Sequence, residues 1–403
     1  MTLWRLVHRS LRQHALSTVV TAGSLMLATG LLLTVWILRN QAAQAFTDAD
    51  AGFDGVLGAR GSKLQLVLNA VFHLESSPGN LRWDDYVQLT NQPGVALAVP
   101  LAVGDNYRGF RLVGTLPSLF EISDEMGVAR LTVQPGGRHF DPERREAVVG
   151  SFAARRLGLK VGDTFQPYHG LVFDPKARHA ETFVVVGLLE PSNTPADRVL
   201  WIPLAGLQNL TGHDPAAAQD ISAVLVRLDD GSPGAGFLLD LLYNRQGNRL
   251  TFAWPIAQVV TELFDRLGWL ERVLTLVAWL VAVVAAASVL TGLYNSMNER
   301  RRDLAVLRAL GAHRRTVLAA VVLEAGTIAA LGAGAGLLAH LALMTLAAMI
   351  IQSQTGVVLD PWTLDPVLFW GPALIVLLGA LAGLAPAWKA YRTDVAEALG
   401  HTA

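Results

Sequence analysis

The 403-residue sequence contains no cysteine, and only 16% of its residues are charged. The missing cysteine excludes both a disulfide framework and a thiolate metal site, although it does not assign a cellular compartment. The net charge of −1 does not indicate the strongly basic surface that nucleic-acid binding needs. Motifs of the forms G-x-x-x-x-G-K-[ST], G-x-S-x-G and H-E-x-x-H are also missing. The sequence therefore predicts a non-catalytic chain, in which any nucleotide would be bound by a separate subunit.

Apolar residues, in contrast, make up 52% of the chain and concentrate in four long runs. Each run reaches the roughly 20 residues that a helix needs to cross a bilayer. The third run is too long for one plain span, so we expect it to tilt or to extend beyond the bilayer. The sequence therefore predicts a membrane protein with four transmembrane helices.

The first apolar run has a second interpretation, as a cleaved signal peptide. Ala43-Gln44-Ala45 resembles a small-residue cleavage site. The apolar part of a signal peptide is usually about 7–15 residues long, which is much shorter than this run. A membrane anchor is therefore the favoured interpretation.

Basic residues cluster on one side of the predicted spans. The loop 352–366 contains neither lysine nor arginine, so the positive-inside rule places both termini and residues 297–315 in the cytoplasm. The basic clusters are Arg5, Arg9 and Arg12, then Arg300, Arg301, Arg302, Arg308, Arg314 and Arg315, then Lys389 and Arg392. The predicted segments are a cytoplasmic N-terminus (1–14), a first span (15–38), an outer domain (39–255), a stalk helix with the second span (256–296), a cytoplasmic helix (297–315), a third span (316–351), an outer loop (352–366), a fourth span (367–388) and a cytoplasmic tail (389–403).

The outer domain reads as α+β, because short β-branched segments alternate with short helical ones. Predicted strands are Val95–Val103, Phe110–Gly114, Ala147–Val149, Phe183–Leu189, Val199–Ile202 and Ala223–Arg227. Predicted helices are Trp83–Asn91, Ser151–Leu157 and Pro203–Leu210. Residues 50–95 are largely unplaced by this pattern.

An apolar stripe precedes the second span at steps of three and four residues: Val259, Leu263, Leu267, Leu270, Leu274 and Val277. Such a stripe needs a partner along its length. The partner is either the outer domain itself or, for a stalk continuous with the span, the extended end of span one or a second protomer.

A charged stretch lies between the second and third spans. Leu304, Leu307 and Leu310 recur at helical spacing, and Gly311 follows where a helix end favours glycine. This pattern predicts a short amphipathic helix that a cytoplasmic partner can push. An ordinary basic loop that only fixes topology is the alternative.

The residues of this stretch also carry a resemblance. The run E-R-R-R-D-L-A-V-L-R-A-L-G-A-H-R-R from Glu299, followed by Leu323-Glu324, resembles the signature of FtsX/MacB-type (type VII) ABC transporter permeases, the superfamily that includes LolCDE. Asp303 stands where the family usually has glutamate, and this change keeps the charge. In the outer region, residues 146–164, 183–189 and 198–204 resemble the MacB-type periplasmic core domain, and residues 386–399 resemble the family's C-terminal ending.

The resemblance implies a permease dimer, made of two copies or of paralogues, that works with two copies of an ABC ATPase subunit. That partner would bind ATP and Mg²⁺, and this chain would hold no cofactor. The implied location is the bacterial inner membrane with the large domain in the periplasm, where a substrate-binding or adaptor protein can join. The residues implied to couple to the ATPase are Glu299, Arg300, Arg301, Arg302, Asp303, Leu304, Leu307, Arg308 and Gly311. The C-terminal tail would give a second ATPase contact or, alternatively, would only cap span four.

Two features inside the predicted spans are candidates for stabilising the packing of the transmembrane helices. Glu324 is costly in a span unless it is paired, and it would tie span three to the coupling stretch through an arginine or, alternatively, extend to the membrane surface. Glycines give small-xxx-small pairs that let helices approach closely, either within one protomer or between two. These glycines are Gly332, Gly336, Gly379 and Gly383, with Gly334 nearby.

Five histidines fall in the predicted outer domain: His73, His139, His169, His179 and His213. His169 and His179 flank Asp174 and precede Glu181, a spacing that can bring imidazoles and carboxylates together in a loop. Imidazole with carboxylate suits zinc. Scattered histidines are more often surface or hydrogen-bonded residues, which is the alternative here.

Two other functions stay open at this point. One is a transmembrane regulator that activates a periplasmic hydrolase, as in the FtsX branch of the family. The other is a membrane-anchored binding or scaffold module with no ATPase. The sequence does not identify the substrate.

Overall fold

The structure is a computed structural model of the chain. It describes residues 3–47, 52–123, 129–213, 219–232, 234–299, 312–355 and 358–392. The chain divides into two compact units. The membrane unit consists of residues 1–41, 268–350 and 359–403, and the outer unit of residues 42–267 and 351–358.

The described helices are α1 (Leu3–Gln13), α2 (Ala15–Thr47), α3 (Lys63–Ala70), α4 (Trp83–Thr90), α5 (Ser151–Leu157), α6 (Leu204–Gln208), α7 (Ala235–Asp240), α8 (Ile256–Glu299), α9 (Arg314–Thr355), α10 (Val367–Ala382) and α11 (Leu384–Arg392). The described strands are β1 (Gly55–Ala59), β2 (Val95–Tyr107), β3 (Phe110–Thr115), β4 (Glu146–Val149), β5 (Thr164–Phe165), β6 (Tyr168–His169), β7 (Phe183–Leu188), β8 (Leu200–Pro203), β9 (Ala223–Leu228) and β10 (Leu250–Ala253). Single turns of 3₁₀-helix cover Pro117–Glu121 and Pro195–Arg198, and a π-helical turn covers Leu241–Gln246.

Within the described residues, three helices are long and apolar enough to cross a membrane: Ala15–Gln41, Arg315–Gln354 and Val367–Trp388. They correspond to the first, third and fourth predicted spans. The second predicted span lies inside α8, where a shorter apolar section covers Thr275–Val284. The prediction of four transmembrane helices is therefore supported for the first, third and fourth spans, and the second span stays a prediction.

The membrane unit has a small apolar core to which α2, α8, α9 and α10 all contribute. Leu25, Ala282, Ile328 and Ile375 are members of this core. Large apolar side chains on the same helices, such as Leu27, are exposed. This distribution is typical of helices whose outer faces contact lipid rather than water.

Local signals explain where the last long helix begins. Asp365 accepts a hydrogen bond from the Val367 amide at 2.9 Å, and Pro366 stands next to it. A side-chain acceptor just before a helix and a proline near its start are both favourable there. Loop residues before this helix contact the end of the first span, because Gln41 Nε2 donates to the Asp360 carbonyl oxygen at 2.7 Å.

The outer unit is built on one mixed sheet of ten described strands in the order β10-β1-β9-β2-β3-β8-β4-β7-β5, with β6 paired to the end of β2. The β3–β8 and β4–β7 pairs are parallel, and the other pairs are antiparallel. Both faces of the sheet are covered. One face carries a core that includes Leu66 of α3 and Trp201, and the other carries a core that includes Leu89 of α4 and Phe183.

The α+β prediction for the outer domain is confirmed. The six predicted strands coincide with β2, β3, β4, β7, β8 and β9 to within about one residue, except that β2 runs on to Tyr107. In residues 50–95, α4 coincides with the predicted helix Trp83–Asn91, whereas β1 and α3 were not predicted. Strand β1 lies between β10 and β9 in the sheet.

The predicted stalk packs on its own domain at its first turns. Val259 is 7% exposed and belongs to the first core of the outer unit, together with Ile256 and Val260. Val277, further along α8, is 41% exposed. The stripe therefore has the outer domain as its partner at the N-terminal end.

Residues 351–358, predicted as part of a separate outer loop, belong to the outer unit. The Val358 amide donates to Asn193 Oδ1 at 2.7 Å, and Asn193 Nδ2 donates to the Val358 carbonyl oxygen at 3.2 Å. The Arg198 guanidinium also donates to the carbonyl oxygen of Gln354. The end of α9 is thereby attached to the turn that precedes β8.

Candidate functional site

A β-bulge sets the position of Asp105 at the end of strand β2. The register of β2 against β3 shifts between Val103 and Asp105. Before the bulge, Leu101 faces the first core of the outer unit, whereas Tyr107 after the bulge packs on the second. Because an extra residue reverses the side-chain alternation of a strand, Asp105 points to the same face as Tyr107. Its carboxylate is fully buried there.

Three imidazoles surround this carboxylate. Asp105 Oδ1 lies 3.3 Å from Nδ1 of His169 and 3.2 Å from Nε2 of His179. Asp105 Oδ2 lies 3.1 Å from Nε2 of His213. One nitrogen or oxygen atom from each of the four residues lies within 4.8 Å of those of the other three. We refer to these four residues as the His/Asp cluster.

The short strand β6 places His169 in the cluster. It pairs with the end of β2 so that His169 lies opposite Asp105. The next residue, Gly170, has φ +85°, a conformation that glycine adopts without strain. Its carbonyl oxygen accepts a hydrogen bond from Asn106 Nδ2 at 2.7 Å. The turn that follows β6 is therefore fixed to β2 beside the carboxylate.

A second layer of hydrogen bonds positions His179. Its Nδ1 lies 2.8 Å from the carbonyl oxygen of Thr211. Glu181 in turn accepts hydrogen bonds from the Thr211 amide at 3.0 Å and the Thr211 hydroxyl at 3.1 Å. Burial raises the pKa of Glu181, but its hydrogen bonds with the backbone and with the Thr211 side chain outweigh burial and lower it. Glu181 is thus an ionised support for the Thr211 turn, which leads into His213.

The predicted candidates His169 and His179 therefore meet, but Asp174 and Glu181 lie outside the cluster. Asp174 holds a turn, since its Oδ1 accepts the Lys176 amide at 2.9 Å. Their place is taken by Asp105 and by His213. The chemistry of the cluster, with three imidazoles and a carboxylate, suits a divalent cation.

The cluster opens to solvent on one side. The side chain of His169 is 58% exposed and that of His213 is 22% exposed, whereas His179 is 5% exposed. His169 and His213 line a cleft of about 330 Å³ together with Gly104, Gln208 and Ser222. A small solute can therefore reach two of the three imidazoles directly.

In the membrane unit, Glu324 is half-buried on α9 and accepts a hydrogen bond from the hydroxyl of Ser10 on α1. The sequence predicted that Glu324 ties α9 to the coupling stretch through an arginine, and that tie stays a prediction. Glu299 is the last residue of α8. The other coupling candidates lie outside the described residues: Arg300, Arg301, Arg302, Asp303, Leu304, Leu307, Arg308 and Gly311.

Three of the four predicted packing glycines lie at helix contacts within the protomer. A Cβ atom on Gly332 would lie 2.6 Å from Leu25 Cβ, and one on Gly336 would lie 2.5 Å from Thr29 Cβ. A Cβ atom on Gly379 would lie 2.4 Å from that of Ala329. Gly332 and Gly336 thus face α2, and Gly379 joins α10 to α9. Gly383 ends α10.

A polar pair that the sequence analysis did not identify lies beside these glycines. Thr34 Oγ1 donates to the Gly30 carbonyl oxygen at 2.7 Å and lies 3.1 Å from His340 Nδ1. Because the single hydroxyl proton is already used, Nδ1 of His340 is the donor. His340 is 1% exposed, so this hydrogen bond satisfies a buried polar group between α2 and α9.

Two known protein families match this chain, one over its N-terminal part and one over its C-terminal part. Residues 16–235 match the MacB-like periplasmic core domain family. Residues 275–395 match the FtsX-like permease C-terminal family. The first match alone covers more than half of the chain. The chain belongs to the FtsX/MacB-type ABC transporter permease family.

Relatives of this permease carry consistent names. It is 28% identical over 331 residues to an uncharacterized ABC transporter permease of Mycobacterium tuberculosis, covering 78% of each chain. It is 27% identical over 340 residues to the macrolide export ATP-binding/permease protein MacB of Escherichia coli. That alignment covers 79% of this chain and 49% of MacB, so the permease spans about half the length of that relative.

Two solved structures are also similar to the permease. The periplasmic region of MacB from Actinobacillus actinomycetemcomitans is 14% identical, with a TM-score of 0.35, and the match covers 57% of this chain and 97% of that region. The extracellular domain of the transporter YknZ from Gram-positive bacteria is 18% identical, with a TM-score of 0.31, and the match covers 49% of this chain and 97% of that domain. By family and by its apolar helices, the permease is a membrane protein with a periplasmic-core-type outer domain, and its family implies an ATPase partner.

Proposed function

We propose that this chain is the permease subunit of an ABC transporter in which a separate ATPase subunit drives motion of the outer domain. The observation that carries this proposal is helix continuity. Helices α2, α8 and α9 each contribute residues to both units of the chain. Rigid secondary elements can carry a displacement from one site to another. Motion at the cytoplasmic ends of these helices would then reach the outer domain.

The coupling residues proposed for ATPase contact stand directly between α8 and α9. Arg301, Arg302, Leu304, Leu307 and Arg308 offer an apolar stripe with basic flanks. An amphipathic helix of this kind docks its apolar face in a groove of a partner. A push on residues 297–315 would act on two of the three continuous helices at once.

The proposed assembly contains two permease protomers, identical or paralogous, and two ATPase subunits that bind ATP and Mg²⁺. ATP binding closes the ATPases, the coupling helices move, and the outer domains change their arrangement to export or extract a substrate. Support comes from the tight glycine contacts of α9 with α2 and of α10 with α9, which suit helices that move as one body. Glu324 would steady α9 beside the coupling helix through its contact with Ser10.

The proposal is tested by replacing Leu307 with aspartate in the full chain. A charge in the apolar stripe would cost the desolvation of a carboxylate in the partner's groove. We therefore expect Leu307→Asp to remove co-purification of the ATPase from native membranes. The matched control is Ala305→Asp, which places the same charge two residues away and on the opposite side of the predicted helix.

Membrane insertion should be unchanged in both variants, and Ala305→Asp should retain the ATPase. Equal ATPase recovery with Leu307→Asp would refute the coupling-helix assignment. If the ATPase is captured and its turnover activates a periplasmic hydrolase without moving a substrate, the regulator interpretation replaces transport.

A further inference from the structure

We propose that Asp105, His169, His179 and His213 form a binding site for a divalent transition-metal ion of the zinc class. This site lies wholly in the outer unit, and it stands independently of the transport function proposed above.

The hydrogen bond behind His179 fixes which of its nitrogens is free to bind a cation. A carbonyl oxygen only accepts hydrogen bonds, so Nδ1, which contacts Thr211, carries a proton. In a neutral ring, Nε2 then presents a lone pair to Asp105 Oδ1 at 3.2 Å. Two acceptors facing each other at this distance repel unless a positive charge lies between them. A metal-bound histidine typically donates its second N–H to a carbonyl oxygen in this way.

The spacing of the ligand atoms suits a tetrahedral ion. Zinc lies about 2.0–2.2 Å from imidazole nitrogen and carboxylate oxygen, which places tetrahedral ligand atoms about 3.3–3.6 Å apart. The three carboxylate-to-imidazole distances are 3.3, 3.2 and 3.1 Å. The four atoms all lie within 4.8 Å of one another, so small side-chain rotations are enough to close the site.

One oxygen of the Asp105 carboxylate lacks the partner that burial requires, whereas the other, Oδ1, accepts a hydrogen bond from the Gly170 amide at 3.3 Å. Among the described residues, Asp105 Oδ2 is shielded from solvent and accepts no hydrogen bond of normal geometry. Nε2 of His213 is 3.1 Å away but is not directed along a hydrogen bond to Oδ2. A buried carboxylate oxygen without a partner is unfavourable. A divalent ion would satisfy it.

The three imidazole rings lie too close together for all of them to be protonated around the carboxylate. Their centroids are 5.2, 5.3 and 5.6 Å apart. Three imidazolium charges around one carboxylate would leave net repulsion at short range. One divalent ion neutralises the carboxylate and lets all three rings stay neutral. Imidazole ligands select zinc, copper, nickel or iron over magnesium and calcium, which prefer oxygen.

The exposed position of the cluster indicates an ion that exchanges with the medium. His169 and His213 line the cleft, so an ion can enter without unfolding the domain. Once bound, it would join three chain segments: the end of β2, the segment from β6 to His179, and the Thr211–His213 turn. Metal binding would therefore stabilise this end of the outer sheet.

The test uses the full chain in detergent, purified with a tag that contains no histidine and treated with a chelator. Zn²⁺ alone is then titrated and bound metal is counted by mass spectrometry. Co²⁺ alone is titrated in parallel, because four-coordinate Co²⁺ absorbs visible light strongly. The variants are His169→Gln and His213→Gln, and the matched control is His139→Gln, an exposed histidine in the same unit.

We expect one equivalent of Zn²⁺ and a tetrahedral Co²⁺ spectrum for the parent chain and for His139→Gln. Each cluster variant should weaken binding at least about tenfold and lose the Co²⁺ spectrum. His169 is more than half exposed, so its replacement does not endanger folding. A parent chain that binds no more metal than His169→Gln would overturn the proposal and leave a hydrogen-bonded histidine cluster. Because no ATPase takes part, that failure would not bear on the transport function.

Discussion

The ring of His73 is packed against Trp201, with centroids 5.4 Å apart in an edge-to-face arrangement. Burial, and to a lesser extent the positive charge of Arg111, lowers the pKa of His73 from 6.5 to about 3. The folded protein therefore keeps this ring neutral at pH values where the unfolded chain would protonate it. Because the unfolded chain takes up a proton that the folded protein excludes, acid lowers the stability of the outer domain.

We predict that the outer domain loses stability as the pH falls below 6.5. The unfolded state binds more protons than the folded state at pH values between the folded pKa of about 3 and the unfolded value of 6.5. The free energy of unfolding therefore decreases as the pH is lowered through this range. From pH 7 to pH 5 the loss is on the order of 1–2 kcal/mol. Denaturant titrations of the full chain in detergent, followed by tryptophan fluorescence at both pH values, measure it.

His73→Asn is the comparison for this prediction. Asparagine tolerates the positive φ of 54° found at His73 but does not titrate in this range. The variant should be less stable at pH 7, because it loses the contact with Trp201, yet its stability should change less between pH 7 and pH 5. The same pH dependence in both proteins would assign the acid sensitivity to other groups.

Helices α2 and α9 approach each other closely where two glycines of α9 face α2. A Cβ atom at Gly336 would lie 2.5 Å from Thr29 Cβ and 3.1 Å from the Met26 carbonyl oxygen. At Gly334, two residues earlier on the same helix, a Cβ atom would meet nothing within 4 Å among the described residues. The two positions therefore form a matched pair for helix packing.

We predict that Gly336→Ala destabilises the membrane unit by about 1–3 kcal/mol, because the added methyl group must push the helices apart. Gly334→Ala should be neutral or slightly stabilising, since alanine favours helix more than glycine does. Thermal unfolding of the detergent-solubilised chain gives both values. Equal midpoints for the two variants would mean that this contact does not limit the packing of α2 on α9.

The strands of the outer domain were predictable because alternating β-branched residues end at Gly, Pro or Asp, as in Phe110–Gly114. Strand β1 was missed because its sequence, G-V-L-G-A, is short and contains two glycines. Asp105 was missed for a related reason. The alternation of β2 stops at the bulge near Gly104, so the strand seemed to end at Val103. Only the pairing of β6 with β2 brings Asp105 beside His169.

Contacts between distant helices were equally outside the reach of the sequence. The periodicity of α9 identifies an apolar helix but does not say which neighbour faces each side. The hydrogen bond between Thr34 and His340 depends on that pairing. A polar residue in an apolar run is itself the available signal, since such residues in membrane helices usually have a partner.

At the level of the whole permease, the segment that follows α9 is held within the outer unit by defined hydrogen bonds. Asn193 holds Val358 through two hydrogen bonds of 2.7 and 3.2 Å. The Asn193 backbone has a φ of 56°. Asp197, which is 4% exposed, holds that turn by accepting the Asn193 amide at 2.9 Å. Under the proposed mechanism, a displacement of α9 reaches the sheet through this turn, which leads directly into β8.

We therefore predict that Asn193→Ala weakens the coupling between ATP turnover and the outer domain. The permease–ATPase complex should show nucleotide-dependent hydrogen exchange in residues 190–203, and the variant should reduce that response while ATP hydrolysis continues. Asn209→Ala is the control, because the Asn209 side chain bonds only one turn back, to the Ala205 carbonyl oxygen at 2.8 Å. A full response in Asn193→Ala would leave α2 and α8 as the helices that transmit the motion. A loss of response in both variants would point to general destabilisation of the domain instead.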